Sequence, residues 1–387
     1  MALRWTIPLA AAILIVWIAS GGERPELAYI GFDRERGMCD AVIVDALPLA
    51  HTQQLLPLNA DGRLSGKDAA AQIKRVFERL ADTLAANRSG LDRLVKLNFV
   101  VACTEVVAAI ERFLARQFAS GRGPATSFVV SSLPHAGAVV AVDAVAVADS
   151  EAGKRGQADC RILPPGARVY IAGQAEPGKS LGEATRKTLE SLRATLKFLG
   201  LSAKDVIQVK SFLTPMSAVA EVNDEMAKFF GRDDVPPQVF VEWRSSLPIE
   251  IELIVQAGKD RPGPVVEFLT PPGMKSSPVF SRVTRINRGK SIYISGLHGR
   301  KAAGPHDEII DIFDRLGGIL KKTGSDFKHL AKATYYVTTA ETTRKMGELR
   351  PRYYDPRRPP SASLAPVAGV GLAGRSVTLD MIAVPVE

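Results

Sequence analysis

Three stretches, one near the end of each third of the chain, share one hydropathic pattern. They are Val140 to Ala146 (VAVDAVA), Ile249 to Val255 (IEIELIV) and Val377 to Ala383 (VTLDMIA). Each alternates aliphatic residues with others and carries an acid at the fourth position, Asp143, Glu252 or Asp380. The period of two predicts a half-buried strand with one carboxylate on its second face. The pattern returns at intervals of about 110 to 130 residues, a spacing that signals an internal repeat.

The elements upstream of each acid repeat as well. Leu47 to Gln53, Arg168 to Gln174 and Lys290 to Leu297 are β-rich. An amphipathic helix is predicted after each, with stripes at Ala71, Val76, Phe77, Leu80 and Leu84, at Ala184, Thr188, Leu189, Leu192, Leu196 and Leu199, and at Ile309, Ile312, Phe313, Leu316 and Leu320,. A short strand follows at 94–101, 206–213 and 332–338, then a second helix ending in an aromatic residue at Phe118, Phe229-Phe230 and Tyr353-Tyr354. Proline precedes the last two strands of each repeat at Pro124, Pro236-Pro237 and Pro359-Pro360, a position that suits an edge or a strand start,. A sheet with helices on one face leaves its other face bare, and burying that face against like units solves the problem. The expected domains are therefore repeats at 23–150, 151–262 and 263–387, after a separate segment at 1–22.

Composition narrows the function classes. The chain has 387 residues and a net charge of +9, a surplus spread over a large surface and no nucleic-acid signature in itself,. Cys39, Cys103 and Cys160 lie far apart, and the five histidines show no HExxH or HxH spacing, so neither a disulfide framework nor a metal centre is expected, and no cofactor,. At the start, Arg4 precedes the apolar run Trp5 to Ala19, which gives way to Ser20-Gly21-Gly22. That pattern reads as a signal peptide or, failing cleavage, an amino-terminal anchor. At 1.5 Å per residue the run reaches about 22 Å, short of the roughly 30 Å hydrocarbon core, which favours the signal peptide. The expectation is export or anchoring by this segment, ahead of a cytoplasmic location, with no other contact to a membrane.

The second repeat, with Gly173-Gln174, the 185–200 helix, Asn223, Pro236-Pro237, Leu247-Pro248 and the Ile249 to Glu252 strand, resembles the RidA/YjgF family of reactive-intermediate deaminases. The resemblance covers roughly residues 40 to 386. It implies an α+β fold of three tandem chorismate-mutase-like units, each a β-sheet with two helices, forming a single-chain pseudo-trimer with the helices outside. A monomer is expected, binding a small-molecule ligand in clefts between repeats. The implied activity is hydrolysis of an enamine or imine. Such a substrate needs a positioned acid or base for water and, where it bears a carboxylate, a fixed cation. Family members supply a glutamate from the last strand and an arginine just after the proline.

Carried over, the resemblance assigns catalysis to Glu252, Asp143 and Asp380, and ligand binding to Gln238, Thr126 and Ser361 at the arginine's place and to Gly173 and Gln174. The arginine is missing from all three repeats, although Arg122, Arg244 and Arg358 stand nearby. The alternative is a catalytically silent module that binds a small molecule or a partner. The plain structural readings are rim carboxylates for the acids, a tight bend for Gly173-Gln174, and a satisfied core residue for His51. The GxGxxG spacing at 369–374 lies between two strands, which makes it a hairpin loop rather than a dinucleotide site,. The basic clusters at 282–290 and 350–358 read as solvated faces.

Overall fold

The computed structural model describes residues 26–149, 159–300 and 304–387. The segment 1–22, with its expected signal or anchor, lies outside the described residues. Among the described residues, no helix is long and apolar enough to cross a membrane.

The described residues begin with β1 (Leu27–Ile30), β2 (Ala41–Val44) and β3 (Leu49–Thr52), followed by α1 (Ala69–Ala86), β4 (Leu94–Val101), α2 (Glu105–Gln117), β5 (Ala125–Val130) and β6 (Val140–Val147). The order then returns. A second passage runs β7 (Cys160–Leu163), β8 (Arg168–Gln174), α3 (Leu181–Phe198), β9 (Val206–Leu213), α4 (Val219–Phe230), β10 (Gln238–Glu242) and β11 (Ile249–Gln256). The third runs β12 (Val266–Leu269), β13 (Val283–Ile286), β14 (Ser291–Ile294), α5 (Pro305–Lys322), β15 (Leu330–Val337), α6 (Ala340–Leu349), β16 (Ser361–Pro366) and β17 (Val377–Ala383).

The helices start where the sequence supplies a cap. Asp68 accepts a hydrogen bond from Ala71 N at α1 and Ser180 from Glu183 N at α3, while α5 begins at Pro305, whose missing N–H costs nothing in a first turn,. The apolar stripes face inward largely as patterned; in α1 Ile73 is buried where Ala71 is exposed.

The described residues form three sheets and six helices. Their strand orders are β5-β4-β6-β3-β7, β10-β9-β11-β8-β13-β12 and β1-β2-β14-β17-β15-β16. In each, the strand after the proline (β5, β10 or β16) is a terminal strand paired parallel to its neighbour, where an absent N–H is tolerated,. One face of each sheet packs on its own helix pair, as with Ile110, Phe99 and Leu80 in the first. The other faces share a core to which all three contribute, including Val145, Tyr170, Ile207, Tyr293 and Ile382.

Every sheet also borrows strands from another stretch of chain. β7 pairs with β3, β13 with β8, and β2 with β14, so that the amino-terminal hairpin β1-β2 completes the carboxy-terminal sheet. Residues 27–44 thus belong to the third sheet, 160–163 to the first and 266–286 to the second. The sheets do not follow the boundaries expected at 150/151 and 262/263, because unpaired strand edges are satisfied across the junctions.

Candidate functional site

Strand register places the three patterned acids at one level. Asn98 faces Asp143, Lys210 faces Glu252 and Thr334 faces Asp380 across their ladders. All three acids point into a single cavity of about 40 Å³ where the sheets meet, lined also by His51, Lys96, Gln208 and Lys332. That volume holds a few waters and no organic substrate. The acids expected to serve three separate clefts therefore meet at one centre.

A cyclic set of bonds links the sheets there. Lys96 Nζ lies 2.9 Å from Asp380 Oδ1 and donates to Ser127 Oγ at 2.7 Å and to the Ile294 carbonyl at 2.6 Å. Lys332 Nζ lies 2.9 Å from Glu252 Oε2. The third residue at this level is Gln208, which donates to the Thr52 carbonyl at 2.8 Å instead. Asp143 consequently has no direct lysine partner and takes a hydrogen bond from Asn98 Nδ2 at 2.8 Å, its Oδ1 remaining unpartnered. Burial pushes the Asp143 carboxyl up to about 6, with Lys210 and the Asn98 bond opposing. Burial acts on Asp380 in the same sense, but Lys96, Lys210 and Lys332 outweigh it and bring its carboxyl down to about 2. His51 is fully buried with neither ring nitrogen partnered, and burial, followed by the charge of Arg168, lowers it to about 4.

The clefts lie one step further along the same strand faces. His51, Tyr170 and Tyr293 pair with Val145, Ile254 and Ile382, two residues past each acid, so Gln54, Gly173 and Gly296 occupy one level three residues on. Two residues before each acid stand Ala141, Glu250 and Thr378, of which Glu250 lies against Gly173 and Thr378 against Gly296. Between the first and second sheets, Gln54 fills the space, donating to the Phe240 carbonyl at 2.9 Å and accepting from Phe240 N at 3.3 Å. Between the third and first, Gly296 faces Thr378 and Ser127, with no acid. Between the second and third, the Glu250 carboxyl lies directly over Gly173, whose N–H donates to Ser363 Oγ of the third sheet at 3.1 Å. Burial raises Glu250 to about 7; its bond with Ser363 opposes this, the nearby Glu252 adds to it, and Arg282 opposes it.

The remaining expected ligand groups are dispersed. Gln174 donates to Thr195 Oγ1 at 2.7 Å, toward the α3 layer. Gln238 donates to Asn223 Oδ1 at 3.2 Å. Thr126 is buried, its N–H bonded to Ser295 Oγ, and Ser361 is buried with its N–H on Thr284 Oγ1. Register puts Ala362, rather than Ser361, level with Gln238 and Thr126. Of the basic clusters expected to be solvated, Arg285 and Arg350 are buried. Among the described residues, no group of three or more histidines, cysteines or acids could hold a metal ion.

The model of the family described as Endoribonuclease L-PSP matches residues 48–148 and 161–257, just over half of the chain. The chain belongs to this family. A RutC family protein of Pyrococcus horikoshii is 34% identical over 105 residues, 25% of this chain and 82% of the relative. A RutC family protein of Pyrococcus abyssi is 29% identical over 97 residues, 23% of this chain and 75% of the relative. Among solved structures, a member of the YjgF family from Mycobacterium tuberculosis is 26% identical, with 28% of this chain and 95% of that one covered and a TM-score of 0.22. A member of the conserved Rid protein family from Yersinia pestis is 24% identical, with 32% and 96% covered and a TM-score of 0.28.

In this RidA-type chain the group that sequence reasoning missed is Glu250. It sits on the same strand face as Glu252, two residues earlier, so alternation cannot rank the two. The available signal was its occurrence in only one repeat, against Ala141 and Thr378 in the others.

Proposed function

We propose that the chain is a single-chain pseudo-trimer of three RidA-like units with helices outside, and that it hydrolyses enamines or imines at the cleft holding Glu250. The observation that carries this reading is a carboxyl raised to about 7, lying over a glycine at the junction of two sheets. A group titrating near neutrality can both take and return a proton. In the proposed reaction, water adds to the imine carbon and its proton passes to the Glu250 carboxylate. The protonated carboxyl then delivers a proton to the nitrogen. The proton of the new hydroxyl then passes through the same carboxyl to the amine nitrogen, and the C–N bond breaks with its electron pair leaving on nitrogen as the C–O bond becomes a double bond, giving ammonia and a carbonyl compound.

A carboxylate on the substrate would meet Arg282. Its backbone carbonyl accepts from Ala172 N at 2.9 Å, next to Gly173, and its charge acts on Glu250. This guanidinium comes from β13's approach rather than from the strand after the proline. The other two clefts carry Ala141 and Thr378 at the position of Glu250, so one site per chain is proposed.

The test is hydrolysis of freshly generated 2-imino acids and neutral enamines by the full chain. Acceleration over buffer that is lost in Glu250→Gln supports the reading. A second reading, binding without turnover, is favoured by the uncharged Gln238, Thr126 and Ala362 where a cation would stand, and folded protein with no acceleration would select it.

A further inference from the structure

The central cavity repeats one bonding scheme around its axis, and the scheme is broken beside Asp143. Lys96, Gln208 and Lys332 hold equivalent places, each two residues before the residue that faces a patterned acid. Lys96 reaches from the first sheet to the third, where it meets the Ile294 carbonyl at 2.6 Å and Asp380 Oδ1 at 2.9 Å. Gln208 reaches from the second sheet to the first in the same way and donates at 2.8 Å to the carbonyl of Thr52, which follows His51 as Ile294 follows Tyr293. Its amide is uncharged, so Asp143, the acid that completes the scheme, receives no ammonium group. Among the described residues, Asp143 Oδ1, Asn98 Oδ1 and both ring nitrogens of His51 are buried and unpartnered. These three side chains line the cavity, whose volume of about 40 Å³ takes particles of the size of a water molecule,.

We propose that the central cavity binds one ammonium ion at Asp143, in the place a third lysine would fill. Its N–H groups would donate to Asp143 Oδ1, Asn98 Oδ1 and His51, whose ring burial keeps neutral and able to accept,. The charged neighbours that act on Asp143 are Lys96 from β4, Lys210 from β9 and Asp380 from β17, while Glu252 and Lys332 pair with one another across the cavity. The nearby lysines repel a divalent ion, and an alkali ion would need a fuller shell of oxygens than these side chains supply. Binding is linked to protonation. Burial leaves the Asp143 carboxyl protonated up to about 6, and ammonium takes that proton's place, so affinity should rise with pH through this range and level off above it. The site lies two residues along the strands from the cleft level and does not depend on hydrolysis at Glu250, although ammonia is a product of that reaction.

Thermal unfolding of the full chain tests the proposal in ammonium chloride, potassium chloride and tetramethylammonium chloride at equal ionic strength. A ligand that binds only the folded chain raises its melting temperature, and at about pH 7.5 a concentration-dependent rise of about 2 °C or more is expected in ammonium alone. The rise should shrink at about pH 5, where Asp143 holds its own proton. Asp143→Asn should abolish it, and so should Gln208→Lys, which tethers an ammonium group at the same place as in the other two sheets. Glu250→Gln should respond as the wild type does. The proposal is overturned by an equal rise in potassium, by no rise in ammonium, or by a Gln208→Lys variant that responds as fully as the wild type.

Discussion

A Cβ on Gly173 would stand 2.0 Å from Glu250 Oε1, so the carboxyl occupies space that exists only because residue 173 has no side chain. Glycine is not needed there for its backbone, since Gly173 is absent from the positive-φ glycines. Gly173→Ala should therefore fold and displace the carboxyl. Turnover is expected to fall about tenfold or more, since small misplacements of a catalytic group carry such penalties, while the melting temperature moves little. A rate equal to that of the wild type would separate Glu250 from the chemistry.

The same carboxyl sets a pH profile. Because burial holds Glu250 at about 7, kcat/KM for a substrate that does not itself titrate should change through an inflection near pH 7. Glu250→Gln should remove the inflection along with the activity. An inflection near the ordinary glutamate range of 4.5 would contradict the burial argument.

Asp143 makes a stability prediction. Its carboxyl titrates at about 6 in the folded chain against 3.8 for the ordinary group. Between those values the folded state binds more protons than the unfolded one, so stability falls as pH rises through the window and is fully retained below it. Asp143→Asn abolishes this contribution. Denaturant unfolding should show the variant gaining up to about 3 kcal/mol on the wild type between pH 4 and pH 7. A constant difference across that range would refute the assignment.

Buried Lys96 pairs with the half-buried Asp380, and the lysine also satisfies Ser127 and a carbonyl of the third sheet. Lys96→Met takes the nearest cation from the Asp380 carboxylate, leaving Lys210 and Lys332 to act on it, and should cost up to about 3 kcal/mol in denaturant unfolding,. Adding Asp380→Asn removes that carboxylate's charge and should restore part of the loss. A double variant as unstable as the sum of its single changes would show that the two residues do not act as a pair.

Much of this arrangement was legible in the chain. Alternation around Asp143, Glu252 and Asp380 located three strands, and the stripes through Leu192 and Phe313 located helices, because both patterns are local. What the acids face is not local. Glu250 and Glu252 share one strand face, and only the pairing with β8 and the packing of the third sheet decide that Glu252 meets Lys332 while Glu250 lies over Gly173 beside Ser363. Exchange of β2, β7 and β13 between sheets was equally hidden, since strand pairing depends on edges far apart in sequence. Gln208 among lysines at 96 and 332 was readable, yet its consequence for Asp143 needed the cyclic order of the sheets.

The most direct measurement compares imine hydrolysis by the wild type, Glu250→Gln and Glu252→Gln under identical conditions, each confirmed as folded. The account predicts loss of about a hundredfold or more in Glu250→Gln, the size of a missing acid–base group, with Glu252→Gln near the wild-type rate per folded molecule. Activity that survives Glu250→Gln and disappears in Glu252→Gln would move the chemistry from the cleft to the central cavity and contradict the account.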